Sequence, residues 1–153
     1  MLTLCLCLAT LAPAFAGEHS VESTALPAPV QATLSSKYGT ATIKSASTET
    51  EDGVQTWEAK LMEGARSFEV AFSADGAVLE EEEVVQSADL PAAVQTALAG
   101  YTGWAVSRIE KSVTPAGTSY EAVMTMGKQG QEVKFSEAGA VQEVEKFKHH
   151  EEE

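Results

Sequence analysis

The residues of this chain that could do chemistry are mainly carboxylates. Its 153 residues include 23 Asp and Glu against 10 Lys and Arg, which gives a formal net charge of −13. The cysteines and histidines that serve nucleophilic catalysis stand near the ends of the sequence, at Cys5, Cys7, His19, His149 and His150. Because a Ser–His or Cys–His arrangement needs a base beside its nucleophile, we predict no catalytic residue, no cofactor and no enzyme activity.

Four glutamates form the candidate binding site, namely Glu58, Glu69, Glu121 and Glu132. They alternate with large apolar residues, and successive side chains of a strand point to opposite faces. We therefore expect the four carboxylates on the sheet face away from the core. Such a face could dock a basic partner and speed its encounter. The competing interpretation, a solvated face on which glutamates only keep the strands soluble, needs fewer assumptions.

Three further features are ambiguous. Trp104 could be an exposed binding anchor, although a core position is the simpler interpretation. The acidic run Glu80–Glu83 could bind calcium but lacks a calcium-loop pattern, so a charged edge strand or linker that opposes aggregation is favoured. The tail His149–Glu153 could hold a divalent metal weakly, whereas a frayed terminus is favoured. We predict no metal site.

The negative net charge of the chain limits the classes of molecule that it can bind. Nucleic acids and anionic membrane surfaces are polyanions, and a protein with a large negative charge is repelled by both. The same charge keeps the protein soluble and attracts cationic surfaces. We therefore predict a protein or peptide partner and no nucleic-acid partner.

The first 16 residues predict an export signal. The segment Leu2–Leu11 is almost wholly apolar, and Ala14–Ala16 matches the small-x-small pattern of a cleavage site. The apolar run is too short to span a membrane. We expect cleavage after Ala16 and a periplasmic or secreted protein. A lipoprotein acylated at Cys5 or Cys7, or a buried N-terminal helix, is the alternative.

The sequence contains one internal repeat, with a spacing of 64 residues that shortens to 63 after the first matching segment. Repeats of this kind indicate one supersecondary unit used twice. The matching pairs are Leu26–Gln31 with Leu90–Gln95, Trp57–Ala59 with Tyr120–Ala122, Glu69–Ser73 with Glu132–Ser136, and Gly76–Val78 with Gly139–Val141.

Each copy predicts one helix followed by four strands. Leu26, Val30 and Leu34 recur every fourth residue, as on one face of a helix. The later segments alternate between apolar and polar residues, as at Trp57–Leu61, which is typical of half-buried strands. Short turns such as Asp75-Gly76 require antiparallel neighbours.

We therefore predict an α+β fold of two tandem units, each with one helix packed on a four-stranded antiparallel sheet. The first unit covers residues 25–85 and the second covers residues 88–147, followed by an acidic tail at 148–153. Two such units could align edge to edge as one sheet or pack as separate lobes. The sequence pattern does not decide between these arrangements.

The helix motif Leu-Pro-x-x-Val-x-x-x-Leu, the strand motif Tyr/Trp-Glu and the hairpin motif Glu-Val-x-Phe-Ser-x-x-Gly-x-Val occur in both copies. Together they resemble the PepSY-like family over roughly residues 25–147. The resemblance implies an exported bacterial protein of tandem units, related in fold to the beta-lactamase inhibitor protein, which binds its enzyme with the open face of its sheet. The chain departs from that inhibitor in its shorter units and in having no cysteine after Ala16.

The resemblance also suggests a function, because PepSY domains are often regarded as peptidase inhibitors. We predict an exported, non-enzymatic binding module for a protein or peptide, with an exported protease as the suggested partner. The four glutamates and Trp104 are its candidate binding residues. The alternative is a structural or cation-binding protein of the cell envelope.

Overall fold

The computed structural model describes residues 19–51 and 54–148. The predicted export signal with its cleavage site at Ala16, the cysteines Cys5 and Cys7, and residues 149–153 of the tail lie outside the described residues. In chain order the elements are β1 (His19–Val21), α1 (Ala28–Lys37), β2 (Thr42–Glu51), β3 (Val54–Glu63), β4 (Arg66–Phe72), β5 (Val78–Val84), α2 (Ala92–Ala99), β6 (Ala105–Thr114), β7 (Gly117–Met126), β8 (Gln129–Ser136) and β9 (Val141–Lys148). Short 3-10 turns at Ser23–Ala25 and Ser87–Asp89 precede the two helices.

All strands of the described part join in one nine-stranded antiparallel sheet, ordered as they occur in the sequence. The prediction of two units, each with its own four-stranded sheet, is therefore wrong. Strand β5 pairs directly with β6, from Glu81 opposite Val113 to Val84 opposite Glu110. This pairing satisfies backbone groups that two separate sheets would leave as open edges. Strand β1, which the sequence pattern did not predict, adds a short strand beside β2.

The core lies on one face of this sheet, beneath both helices. Val30 and Leu34 of α1 pack with Leu61, Val70 and other buried residues of the first strands. Helix α2 covers a second cluster in the same way. The strand register shows that both clusters share a face. Phe68 of the first cluster lies opposite Glu83, which lies opposite Lys111, which in turn lies opposite Tyr120 of the second cluster, and residues directly opposite each other point to the same side of the sheet. The opposite face has no helix over it in the described part of the chain.

Candidate functional site

The face opposite the helices carries a band of carboxylates that crosses seven neighbouring strands, β3 to β9. Alternation along each strand and the pairing between strands place these side chains on the same side of the sheet. We call this band the acidic face. It consists of Glu58, Glu69, Glu80, Glu82, Glu110, Glu121, Glu132, Glu143 and Glu145, and Glu49 of β2 lies next to this band on the same side of the sheet.

Four of the five residues proposed from the sequence lie on the acidic face. Glu69, Glu121 and Glu132 are partly exposed there. Glu58 is 3% exposed, and Ser47 Oγ donates a hydrogen bond to its Oε2 atom at 3.3 Å. Trp104 lies elsewhere, because it precedes β6 and packs against the core cluster beneath α2. The structure thus brings the four glutamates to one face and leaves the tryptophan outside that face.

The centre of the acidic face is Glu82 on β5. Glu69 of β4 is directly opposite it, Glu80 lies two residues earlier on the same strand, and Glu110 and Glu121 follow on β6 and β7. Burial, reinforced by the negative charges of these four neighbours, raises the pKa of Glu82 to about 8. A carboxyl group at this position is therefore largely protonated at neutral pH.

A second crowded region extends towards the β9 edge. Burial, together with the charge of Glu132, raises the pKa of Glu121 to about 7. Burial also raises the pKa of Glu132, and the charge of Glu145, directly opposite it on β9, adds to the effect. A small surface pocket opens among these carboxylates, lined by Glu121, Glu132, Lys134, Glu143 and Glu145.

Three cationic side chains lie among the nine carboxylates. Lys60 Nζ is 4.0 Å from Glu69 Oε2, and Arg108 Nη2 donates to Glu110 Oε2 at 2.7 Å. Lys134 stands between Glu121 and Glu143 in the register. Although Arg108 opposes the shift, burial still raises the pKa of Glu110. With three cations among nine carboxylates, the surface keeps an excess of negative charge whenever the glutamates are ionised.

The carboxylates on the other face of β5 have a different environment. Arg66 donates to Glu81 Oε1 at 2.5 Å and to Glu83 Oε2 at 2.9 Å, and its guanidinium carbon lies 4.0 Å from the centre of the Phe68 ring. The Tyr38 hydroxyl donates to Glu81 at 3.0 Å. Glu81 and Glu83 are thus held by internal partners, so the four-residue acidic run is divided between a structural pair and a pair on the acidic face.

The described residues show no arrangement typical of a metal centre. Within 19–51 and 54–148, no group of three or more His, Cys, Asp or Glu side chains is placed to hold a metal ion. No helix in this part of the chain is long and apolar enough to cross a membrane. The acidic face is suited to binding an extended cationic surface through many weak charge interactions.

Five of the nine glutamates of the acidic face were not predicted from the sequence. The face of Glu80, Glu82, Glu143 and Glu145 could not be fixed, because register shifts in the β4–β5 and β8–β9 pairs interrupt the alternation. Glu110 was not singled out, although it directly follows the buried Ile109 in β6 and alternation alone would have found it.

Comparison with known proteins agrees with this architecture. No protein-family model matches the sequence, and no curated protein matches it significantly. A BLIP-like protein from Bacteroides fragilis is 26% identical, with a TM-score of 0.67 over 83% of this chain and 91% of that one. A protein assigned to the periplasm of Bacteroides eggerthii has a TM-score of 0.68 at 17% identity, over 78% of this chain and 88% of the other. A DUF2874 family protein from Bacteroides uniformis has the same TM-score and coverage at 19% identity.

These likenesses show that the chain has a BLIP-like fold, that is, the fold of proteins resembling the beta-lactamase inhibitor protein. The PepSY-like assignment and the ancestral duplication remain predictions. So do the unit boundaries at residues 25–85 and 88–147.

Proposed function

We propose that this chain is an extracytoplasmic, non-enzymatic module that binds a basic protein or peptide on the acidic face. The observation that carries the proposal is the convergence of nine glutamates from seven strands on a face that no helix covers in the described part of the chain. Burial of these groups, reinforced by their mutual repulsion, costs folding energy, as the raised pKa values of Glu82 and Glu121 indicate. A surface that only needed to be soluble would not require such crowding.

Two comparisons support the location and the kind of partner. The Bacteroides eggerthii neighbour is assigned to the periplasm, which agrees with an export signal ahead of β1. The BLIP-like likeness favours a protein partner on the open sheet face. Inhibition of an exported peptidase is the specific form that the PepSY-like resemblance suggests.

A matched pair of variants tests the acidic face. We expect Glu69→Gln, Glu121→Gln and Glu132→Gln together to weaken partner binding, and the loss should shrink as salt rises because screening removes the same attraction. Glu58 stays unchanged, since it is buried and its loss would report on folding. The partner is first isolated by affinity capture from periplasm and medium with the mature protein.

The control removes the same number of carboxyl groups away from the acidic face. It combines Glu22→Gln, Asp89→Asn and Glu137→Gln, all at exposed positions outside the strands. Equal affinity of both triple variants for the captured partner would show that the acidic face is not the binding surface. A peptidase assay with the captured partner tests inhibition separately.

A further inference from the structure

Strand β9 forms a long open edge of the sheet. Among residues 19–51 and 54–148 it pairs with β8 alone, and all eight of its residues are exposed. The strand contains no proline, and its pairing is regular from Glu143 to Lys148. The outer N–H and C=O groups of such an edge are a ready template for another strand. The opposite edge strand, β1, has only three residues.

The side chains of β9 specify what an added strand should carry. Glu143 and Glu145 belong to the acidic face, where Glu143 lies opposite Lys134 and Glu145 lies opposite Glu132. Val144 points to the core side, where it is 44% exposed and continues the row of buried Val133. A strand placed beside these three residues would fit best with a basic, an apolar and a basic residue in turn.

A second copy of the chain does not meet this requirement. Two identical free edges that pair antiparallel are related by a two-fold axis normal to the sheet, so one residue lies opposite its own copy. If the two-fold axis passes beside Glu145, the two copies of Glu145 lie opposite each other. If it passes beside Val144, Glu143 of each copy lies opposite Glu145 of the other. If it passes beside Lys146, two lysines lie opposite each other. Like charges directly opposite each other destabilise a strand pair.

We propose that β9 accepts an extended segment of a basic partner by strand addition, with basic residues beside Glu143 and Glu145 and an apolar residue beside Val144. The inference deepens the proposed function and rests on it only for the positive charge of the partner. A basic residue of the added strand, placed next to Glu145 on the open side of β9, would also offset the repulsion between Glu145 and Glu132, which lie directly opposite each other.

The test uses two synthetic peptides with identical side chains and charge. The first is a capped seven-residue peptide that alternates Lys and Val, and the second has all its internal backbone amides N-methylated. We expect the full-length mature protein to bind the first peptide about tenfold more tightly, because the second cannot donate backbone hydrogen bonds to β9. Fluorescence anisotropy of labelled peptides measures both affinities.

Hydrogen exchange locates the interaction. The first peptide should slow amide exchange in residues 141–148, and the combination Glu143→Gln with Glu145→Gln should weaken its binding, whereas Glu22→Gln with Glu137→Gln should not. Binding of both peptides within twofold would overturn strand addition and leave docking on the acidic face intact. Failure of both peptides to bind, or a concentration-dependent dimer formed through β9, would also overturn it.

Discussion

At the scale of single residues, the notable feature is the placement of carboxyl groups where ionisation is costly. Glu82 lies among four other glutamates, and burial contributes most to its raised pKa. Glu80 is 7% exposed and accepts a hydrogen bond from Ser112 Oγ, so part of this region is as inaccessible as a core. An acidic surface built in this way gains protons near neutral pH, and its charge therefore depends on pH in the range where it would bind.

The stability of the protein should consequently fall as the pH rises from about 5 to about 8. The pKa of Glu82 is about 8 in the folded protein against an ordinary 4.5, so the folded state holds the proton more tightly. The contribution of protonated Glu82 to the stability of the folded state is complete below pH 4.5 and is lost as the pH rises through 8. Glu82→Gln imitates the protonated group, and it should raise the free energy of unfolding at pH 8 by on the order of 2 kcal/mol.

Urea unfolding at pH 4.5, 6 and 8 measures this effect. The free energy of unfolding of Glu82→Gln should be close to that of the unaltered protein at pH 4.5. Above pH 4.5 it should decline less steeply with pH than that of the unaltered protein. Glu137→Gln removes an exposed carboxylate outside the sheet and serves as the control. Equal pH dependence in Glu82→Gln and the unaltered protein would contradict the assignment of a high pKa to Glu82.

At the scale of elements, the backbone of each helix lies in close contact with a hairpin turn, α1 with the turn at Gly76 and α2 with the turn at Gly139. A Cβ atom at Gly76 would lie 2.5 Å from the Pro29 carbonyl oxygen of α1, and one at Gly139 would lie 2.5 Å from that of Ala93 in α2. Both glycines have positive φ, +81° and +79°. Thr33 Oγ1 also donates to the Gly76 carbonyl at 2.7 Å. These turns thus fix how closely the helices approach the sheet.

Alanine at either turn should destabilise the protein strongly. Gly76→Ala and Gly139→Ala combine an unfavourable backbone conformation with a clash against backbone that cannot rotate away. We expect each to lower the free energy of unfolding by about 3 kcal/mol. Gly64→Ala is the matched control, because Gly64 also has positive φ, +62°, but has nothing within 4 Å of its Cβ position. It should cost about 1 kcal/mol, and equal losses at all three sites would refute the close-contact argument.

At the scale of the whole molecule, two core clusters share one sheet. The first contains Leu61 and the second contains Met124, and both side chains are fully buried. The β5–β6 pairing joins the two halves through backbone hydrogen bonds, so unfolding either half would expose an edge of the other. We infer that the halves fold as one cooperative unit.

The two tryptophans allow this inference to be tested. Trp57 packs against the first cluster and Trp104 against the second, so Trp57→Phe and Trp104→Phe each leave one local fluorescence probe. Leu61→Ala should cost about 2–4 kcal/mol and shift the unfolding midpoint equally in both single-tryptophan proteins. Met124→Ala, in the other cluster, should do the same. If Leu61→Ala lowered the unfolding midpoint only in the protein that retains Trp57, the two halves would unfold independently.

The sequence by itself determined the local features. A period of four is a property of helices, and it predicted the helix of Val30 and Leu34, although Leu26 itself lies before α1. Alternation at Trp57–Leu61 is a property of half-buried strands. Both depend only on neighbours along the chain. The same alternation sufficed to place Glu58 and Glu69 away from the core.

Only the tertiary structure decided how these elements meet. Whether β5 pairs with β6 depends on competition for backbone hydrogen bonds between distant strands, which leaves no periodic trace in the sequence. The gathering of Glu82, Glu110 and Glu121 depends on that same pairing, and so do their raised pKa values. Charge density and desolvation are properties of groups brought together in space, and for that reason the full extent of the acidic face and its raised pKa values emerged only from the folded chain.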